Sequence, residues 1–299
     1  MQTLLSPREL ASAIGVSESS LKRWADDGLL DVSRTAGGHR RISLVEAIRF
    51  IRESKANIVR PDVLGMPELA SVSAEALIEA DRQSAVTPGE KLFELLNAGK
   101  AEQARGLIMS WYLAGESVAS ICDGPIREAM TRMGELWKHG DDGIYREHHA
   151  TDICIQSLNQ LRILLVPPTD HAPVALGGAP DEDPYMLPSL MCSTILAECG
   201  YRAINVGPFS PVNVLINAIQ IHRPRILWYS ASAPIEPKIL RQNVDRLADA
   251  MAEIHGSIIL GGRRTSEQIA AKRDNVHLVS TMAELASYGR GVLAAWKTA

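Results

Sequence analysis

Between residues 168 and 299 the chain alternates short apolar runs with amphipathic stretches, and this alternation constrains its fold more than any other feature. The runs are 173–178 (PVALGG), 202–206 (RAINV), 225–230 (RILWYS), 257–262 (SIILGG) and 276–279 (VHLV). The intervening segments 187–199, 211–222, 235–255, 265–273 and 282–295 read as helices. Strands that alternate with helices build a parallel sheet wrapped by helices. Ligands of such sheets bind at the carboxyl ends of the strands. The expected lining is therefore 178–185, 207–210, 230–233 and 261–264. Paired glycines let backbone approach a flat or phosphate-bearing ligand closely, or simply make a turn. Ser230 and Ser232 can donate hydrogen bonds there. No GxGxxG follows the first strand, which disfavours a dinucleotide site.

The charge is uneven along the chain. Residues 1–60 hold ten Lys/Arg against seven Asp/Glu, a net +3, whereas the whole chain carries −4 and the remainder therefore −7. A basic end on an acidic body suits a nucleic-acid-binding head joined to a different module. In that head, Pro7 to Ile14 reads as a helix with Ser6 as N-cap and Pro7 at the first helical position. Gly15 breaks it. Ser17 caps a second helix that Gly28 stops. Leu10, Ile14, Leu21, Trp24 and Leu29 are the expected small core. Two short helices joined by a glycine turn form a helix-turn-helix. The second exposes Ser19, Ser20, Lys22 and Arg23 toward a major groove. The following RTAGGHRRI, residues 34–42, reads as a hairpin wing. Its Arg34, Thr35, His39, Arg40 and Arg41 reach phosphates or a minor groove. A third helix is expected near 43–54, with Val45, Ile48 and Ile51 on one face.

Residues 57–88 contain scattered Pro, Gly and Ser and read as a linker with about one helical turn. Residues 89–166 become helical, with the stripes Leu92/Leu95/Leu96, Ala104/Leu107/Ile108/Trp111 and Ile126/Met130/Met133/Trp137. Four or five helices over this length make a small bundle. The expected organisation is thus a 1–56 winged helix-turn-helix, a 57–88 linker, an 89–166 bundle and a 167–299 Rossmann-like α/β domain. The fold class is multidomain, α and α/β.

Hydrophobic residues make up 46% and charged residues 22% of the 299. That balance excludes global disorder, collagen and a simple coiled coil. No run of about 18 uninterrupted apolar residues is present, and MQTLLSPREL lacks the pattern of a secretory signal. The expected location is cytoplasmic, with no membrane partner. Cys122, Cys154, Cys192 and Cys199 form no CxxC pair, which argues against a zinc ribbon. They read as buried apolar side chains.

Three resemblances add to this reading. SESSLKRWADDGLLDVSRTAGGHRRI closely resembles the winged helix-turn-helix of MerR-type bacterial regulators, in the RTxGGHRRI form of the subgroup carrying cobalamin-binding-like sensor domains. Trp137, nine residues, then Glu147-His148 resembles the helical cap of adenosylcobalamin-dependent photoreceptor regulators of the CarH/LitR type. The resemblance implies that Trp137, Glu147 and His148 lie over the upper face of a corrin and contact its adenosyl group. From the residues alone, a core Trp beside a solvated helix start explains the same pattern. In those photoreceptors a His directly follows the Trp, whereas here Lys138 stands there and His139 follows.

The C-terminal part resembles the cobalamin-binding fold of methionine synthase and the B12-dependent mutases. Their pattern is DxHxxG, a serine-bearing strand end, then GG. Ser230-Ala231-Ser232 and Gly261-Gly262 match it. The first motif departs, because Asp183-Pro184-Tyr185-Met186-Leu187-Pro188 places Tyr185 at the cobalt-ligating His and Pro188 at the Gly. A neutral imidazole is a ready cobalt ligand, while a phenol must first lose its proton. No residue is therefore assigned as a metal ligand. Three outcomes stay open: cobalamin held without a protein lower ligand, another tetrapyrrole in its place, or no cofactor.

The leading functional reading is a non-enzymatic, DNA-binding transcription regulator, a repressor in the resembling type. Operator DNA and a homo-oligomer, dimer or tetramer, are its expected partners, because such heads read paired half-sites. Ligand or light would act by shifting the oligomeric state. The alternative is a cobalamin-independent regulator controlled by another ligand or by an antirepressor protein. A corrinoid-enzyme subunit is the third reading. The missing cobalt His and the basic head argue against it.

Overall fold

A computed structural model describes residues 4–71, 86–270 and 273–298. The chain splits into two compact units, residues 1–117 with 124–166, and residues 118–123 with 167–299.

The first unit opens with the head: β1 (Leu4–Leu5), α1 (Pro7–Ile14), α2 (Glu18–Asp26), β2 (Ser33–Arg34), β3 (Arg40–Ser43) and α3 (Leu44–Ser54). Each helix begins where a serine can cap it. Ser6 accepts the Glu9 amide while Glu9 reaches back to the Ser6 N–H, a complete capping box. Ser17 caps α2 and Ser43 caps α3 through the same N3 contact. The strands pair antiparallel in the order β1-β3-β2, so β3 is the central strand of the wing. Leu10, Ile14, Leu21, Ile42, Ile48 and Ile51 are buried.

Leu29 departs from expectation. It is 55% exposed, and its neighbour Leu30 is buried in its stead. The turn after α2 passes through Gly28 at φ +75°, which moves the apolar position one residue along the chain. Leu29 instead rims an open apolar hollow with Trp24 and Phe50. The segment read as a linker is also more ordered than expected. It holds two 3-10 turns, Pro61–Leu64 and Pro67–Ser71, and buries Leu64 and Met66. Residues 72–85 of that segment lie outside the described residues.

The rest of the unit is helical: α4 (Pro88–Asn97), α5 (Ala101–Leu113), α7 (Arg127–Glu135), a 3-10 turn Leu136–His139, and α8 (Asp141–Leu164). Gly99 and Gly115 take positive φ just past the ends of α4 and α5. Leu92, Leu96, Ala104, Leu107, Ile108, Ile126 and Met133 are buried as their spacing predicts. Trp137 is not. It sits on the 3-10 turn and is 47% exposed, because the α-helical phase that would have turned it inward ends at Glu135.

The second unit takes the intervening α6 (Val118–Ile121) and then β4 (Val174–Gly178), α9 (Met186–Glu198), β5 (Arg202–Gly207), α10 (Val212–His222), β6 (Ile226–Ser230), α11 (Pro237–Ala252), β7 (Ser257–Gly261), α12 (Glu267–Ala270), β8 (Val276–Leu278) and α13 (Met282–Thr298). The five strands are parallel in the order β5-β4-β6-β7-β8. The winding therefore reverses between β4 and β6, where open α/β sheets place their ligand crevice. Val174, Leu176, Leu227 and Leu260 pack with Leu215 and Val244 of the covering helices into one core. Helix α11 is shorter than the expected 235–255, since Glu236 is its N-cap and Pro237 its first residue. Two carboxylates fasten α6 into this unit. Glu198 accepts the Val118 N–H at 3.1 and 3.2 Å, and Asp123 accepts the Met282 and Ala283 N–H groups at 2.9 and 2.8 Å.

Candidate functional site

The head brings its expected DNA-contacting residues onto α2 and the adjoining wing. Ser19, Lys22 and Arg23 are exposed on α2, and Arg34, Thr35 and His39 are exposed on the wing. Ser20 is half-buried, and its hydroxyl lies 2.9 Å from Ser17 Oγ. Lys22 pairs with Glu18 at 2.8 Å on the helix surface, a contact of the kind that contributes about 0.3–0.5 kcal/mol and exchanges readily. The wing turn closes on Thr35: its N–H donates to the His39 carbonyl, and its hydroxyl accepts the His39 N–H.

Arg40 behaves differently from its neighbours. Its guanidinium donates to Asp26 Oδ1 at 2.5 Å and to the Lys22 carbonyl at 3.2 Å. It is engaged in holding the wing against α2 and is not offered outward as expected. Two arginine variants should therefore separate. Arg41→Ala removes one cation and lowers the salt slope of DNA binding by about one. Arg40→Ala loosens the wing as well, so it weakens binding by about tenfold or more and also lowers the melting temperature. A binding titration and a thermal melt of each variant check this; equal melting temperatures would contradict the positioning role of Arg40.

On the bundle, Trp137 and His148 meet edge-on, with ring centroids 6.2 Å apart and planes 68° apart. The His148 side chain is 67% exposed and its Nε2 lies 3.7 Å from Glu147 Oε2. Glu147 is half-buried and accepts from the Thr151 hydroxyl at 2.9 Å. The three residues thus share one surface, an indole and an imidazole facing outward beside a carboxylate. Gly143 makes this possible. A Cβ there would stand 1.8 Å from the Leu136 carbonyl oxygen, so only glycine lets the start of α8 lie against the turn that carries Trp137.

At the strand ends of the second unit, Asp183 organises the first motif. It is fully buried. Its Oδ1 accepts the Tyr185 N–H at 2.9 Å, and its Oδ2 accepts the Ser232 and Ala233 N–H groups at 2.5 and 3.0 Å. The carboxylate therefore bridges β4 and β6 where the winding reverses. Ser230 and Ser232 are buried. Gly261 and Gly262 close the β7 turn. Gly262 has φ +110°, and a Cβ there would stand 2.2 Å from the Ala231 carbonyl oxygen. That glycine is required by the close packing of two backbones. Below this end, Trp228 donates through Nε1 to Ser189 Oγ at 2.9 Å, and Ser189 donates to Asn205 at 2.8 Å. Tyr229 is buried beside it, and burial pushes its phenol pKa up. Burial likewise pushes the Cys154 and Cys192 thiols up to about 12, so these cysteines are inert core side chains.

The MerR HTH family regulatory protein matches residues 5–55, and the family described as B12 binding domain matches residues 89–162. This chain joins a MerR-type helix-turn-helix head to a B12-binding-like domain. Among solved structures it is similar to the monomethylamine corrinoid protein of Methanosarcina barkeri, at 15% identity and a TM-score of 0.54, over 69% of this chain and 98% of that one. A cobalamin-binding protein from Desulfitobacterium hafniense DCB-2 matches at 15% identity and a TM-score of 0.35, over 70% of this chain and 97% of that one. The methanol:cobalamin methyltransferase complex MtaBC from Methanosarcina barkeri matches at 14% identity and a TM-score of 0.38, over 76% and 91%. No curated protein matches the chain. The B12-binding-like half is thus a helical bundle followed by a Rossmann-like parallel sheet.

Two residues after Asp183, at the carboxyl ends of the strands, stands Tyr185 and not a histidine. Tyr185 is half-buried, with the Arg263 guanidinium carbon 5.9 Å from its ring centroid. The Asp183 carboxylate is engaged by backbone N–H groups on both oxygens. The Trp137–Glu147–His148 surface presents an exposed pair of aromatic rings beside a half-buried carboxylate.

Two features escaped sequence reasoning. Arg52 on α3 donates to the Tyr112 and Glu116 carbonyls and lies 3.7 Å above the Tyr112 ring. Its periodicity marks it only as a surface residue near the helix end. The capping carboxylates Glu198 and Asp123 are equally silent, because their partners are backbone groups 80 and about 160 residues away in the chain.

Proposed function

We propose that the chain is a non-enzymatic transcription regulator that binds operator DNA through α2 and the wing, and whose B12-binding-like half responds to a flat ligand. The carrying observation is the head: exposed Lys22, Arg23, Arg34 and His39 on two elements that Arg40 ties together. A MerR-type head reads paired half-sites, so the working form is a dimer or tetramer, and a change of oligomeric state is the switch. Control requires that the ligand bind one state more tightly than the other. Trp137, Glu147 and His148 are its proposed contacts. Tetrapyrroles, cobalamin included, have the flat apolar face this surface suits, held without a histidine ligand from the sheet. The exposed aromatic pair supports this reading over a regulator controlled only by an antirepressor protein, although such a protein remains the natural partner if no ligand is retained. No described helix is long and apolar enough to cross a membrane.

The test is a visible spectrum of the full chain mixed in the dark with adenosylcobalamin, or separately with haemin, then desalted and sized before and after green light. Retained absorbance that Trp137→Ala abolishes supports the ligand site. A light-dependent size change with adenosylcobalamin adds the photoreceptor reading. Absence of any retained tetrapyrrole would contradict the site and leave protein partners as the control. With adenosylcobalamin retained, Tyr185→His shifts the visible spectrum toward a His-ligated form, whereas an identical spectrum would place Tyr185 away from the cobalt.

A further inference from the structure

The chain leaves the first unit after Ser117 and enters the second at Val118, so the Ser117–Val118 peptide is a covalent crossing. Both sides of this crossing are gripped. On the head side, the Arg52 guanidinium donates to the Tyr112 carbonyl and, at 3.1 Å, to the Glu116 carbonyl, and stacks over the Tyr112 ring. Those carbonyls lie at and just past the C-terminus of α5, where a cation is favoured by the helix dipole. On the other side, Glu198 at the end of α9 accepts the Val118 N–H with both oxygens. Asp123 then fastens the far end of the same segment to the start of α13. The return crossing runs through a π-turn, Cys122–Ile126, that contains Pro125, a geometry common at functional irregularities.

We propose that this crossing is a mechanical link between the sheet-bearing half and the DNA-binding head. Arg52 is its head-side grip and Glu198 its sheet-side grip, only two residues apart along the backbone they hold. A shift of α9, which begins at the Tyr185 loop, pulls Val118 and, through two peptide units, the carbonyls that seat α3. Helix α3 follows directly on β3, the central wing strand, so its seating sets the wing. The arrangement deepens the regulator reading, on which its biological use rests, but its test needs neither DNA nor ligand.

Amide hydrogen exchange on the full chain, wild type against Glu198→Ala, Arg52→Ala and the double variant, reads the link directly. Glu198→Ala is expected to raise exchange over residues 44–54 of the head by about fivefold or more, the size of an ordinary coupling between sites. Arg52→Ala should do the same, and the double variant no more than either alone, because both open one path. Glu198→Gln, which keeps the shape and one acceptor oxygen, and Arg52→Lys, which keeps the charge but not the planar fork, should give intermediate effects. Faster exchange confined to α9 and Val118, or additive effects in the double variant, would overturn the proposal. A coupled α3 in a chain that binds no duplex would instead overturn the regulator reading and leave the link standing.

Discussion

Asp183→Ala lowers the melting temperature of the sheet-bearing unit by about 10 °C, the equivalent of about 3–5 kcal/mol. The side chain is fully buried and accepts three backbone N–H groups, from Tyr185, Ser232 and Ala233. Alanine leaves these donors without their acceptor and opens a space where β4 and β6 part. Each buried donor left unpaired costs about 1–3 kcal/mol, and entering water offsets part of it. Asp183→Asn keeps one acceptor oxygen for Ser232 and Ala233 but turns an N–H₂ toward the Tyr185 amide, so its loss is smaller. Thermal unfolding with exchange at Tyr185, Ser232 and Ala233 measures both variants. A melting temperature within about 2 °C of wild type for Asp183→Ala would show that the carboxylate does not hold this loop.

Gly143→Ala has an effect of similar size in the other unit. The added methyl would lie 1.8 Å from the Leu136 carbonyl oxygen and 2.6 Å from its carbon, and both atoms are backbone. No side chain can swing aside, so the start of α8 must separate from the 3-10 turn. The expected cost is about 3 kcal/mol. Separation also moves Trp137 away from His148, now 6.2 Å apart. The variant therefore loses stability together with retention of a flat ligand. Trp137→Ala loses retention alone, since the indole is half-exposed and supports little of the core. Melting and ligand-retention measurements on the pair separate the two roles; a Gly143→Ala protein as stable as wild type would contradict the close approach.

Much of this architecture is legible in the amino-acid sequence, for local reasons. Ser6, Ser17 and Ser43 announce helix starts because a cap is a contact within three residues. The five strands announce themselves because each is a short apolar run between helical stretches. The features that stay hidden depend on phase or on distance. Leu29 and Leu30 exchange roles through one positive-φ glycine, and Trp137 leaves its stripe because the helix tightens one residue before it. Asp183 is legible as a motif residue, but its backbone partners 50 residues away are not. Arg40, Arg52 and Glu198 share this property. Each is a charged side chain whose partner is a carbonyl, a carboxylate or an amide far along the chain, and no periodicity marks such a pairing. The glycines at 261–262 carry the opposite lesson, since a pair that suits ligand approach also suits the tight packing of two backbones.

The regulator reading rests on binding of duplex DNA by the basic head, through α2 and the wing. It is tested by fluorescence anisotropy of the full chain on a duplex selected from a random library, titrated from about 50 to 300 mM salt. Each phosphate neutralised adds about 0.9 to the downward slope of log affinity against log salt. The expected result is a steep slope of several units that Arg41→Ala reduces by about one. A chain that selects no duplex, or whose affinity is flat with salt and indifferent to Arg41→Ala, would show that the head does not bind DNA in this way.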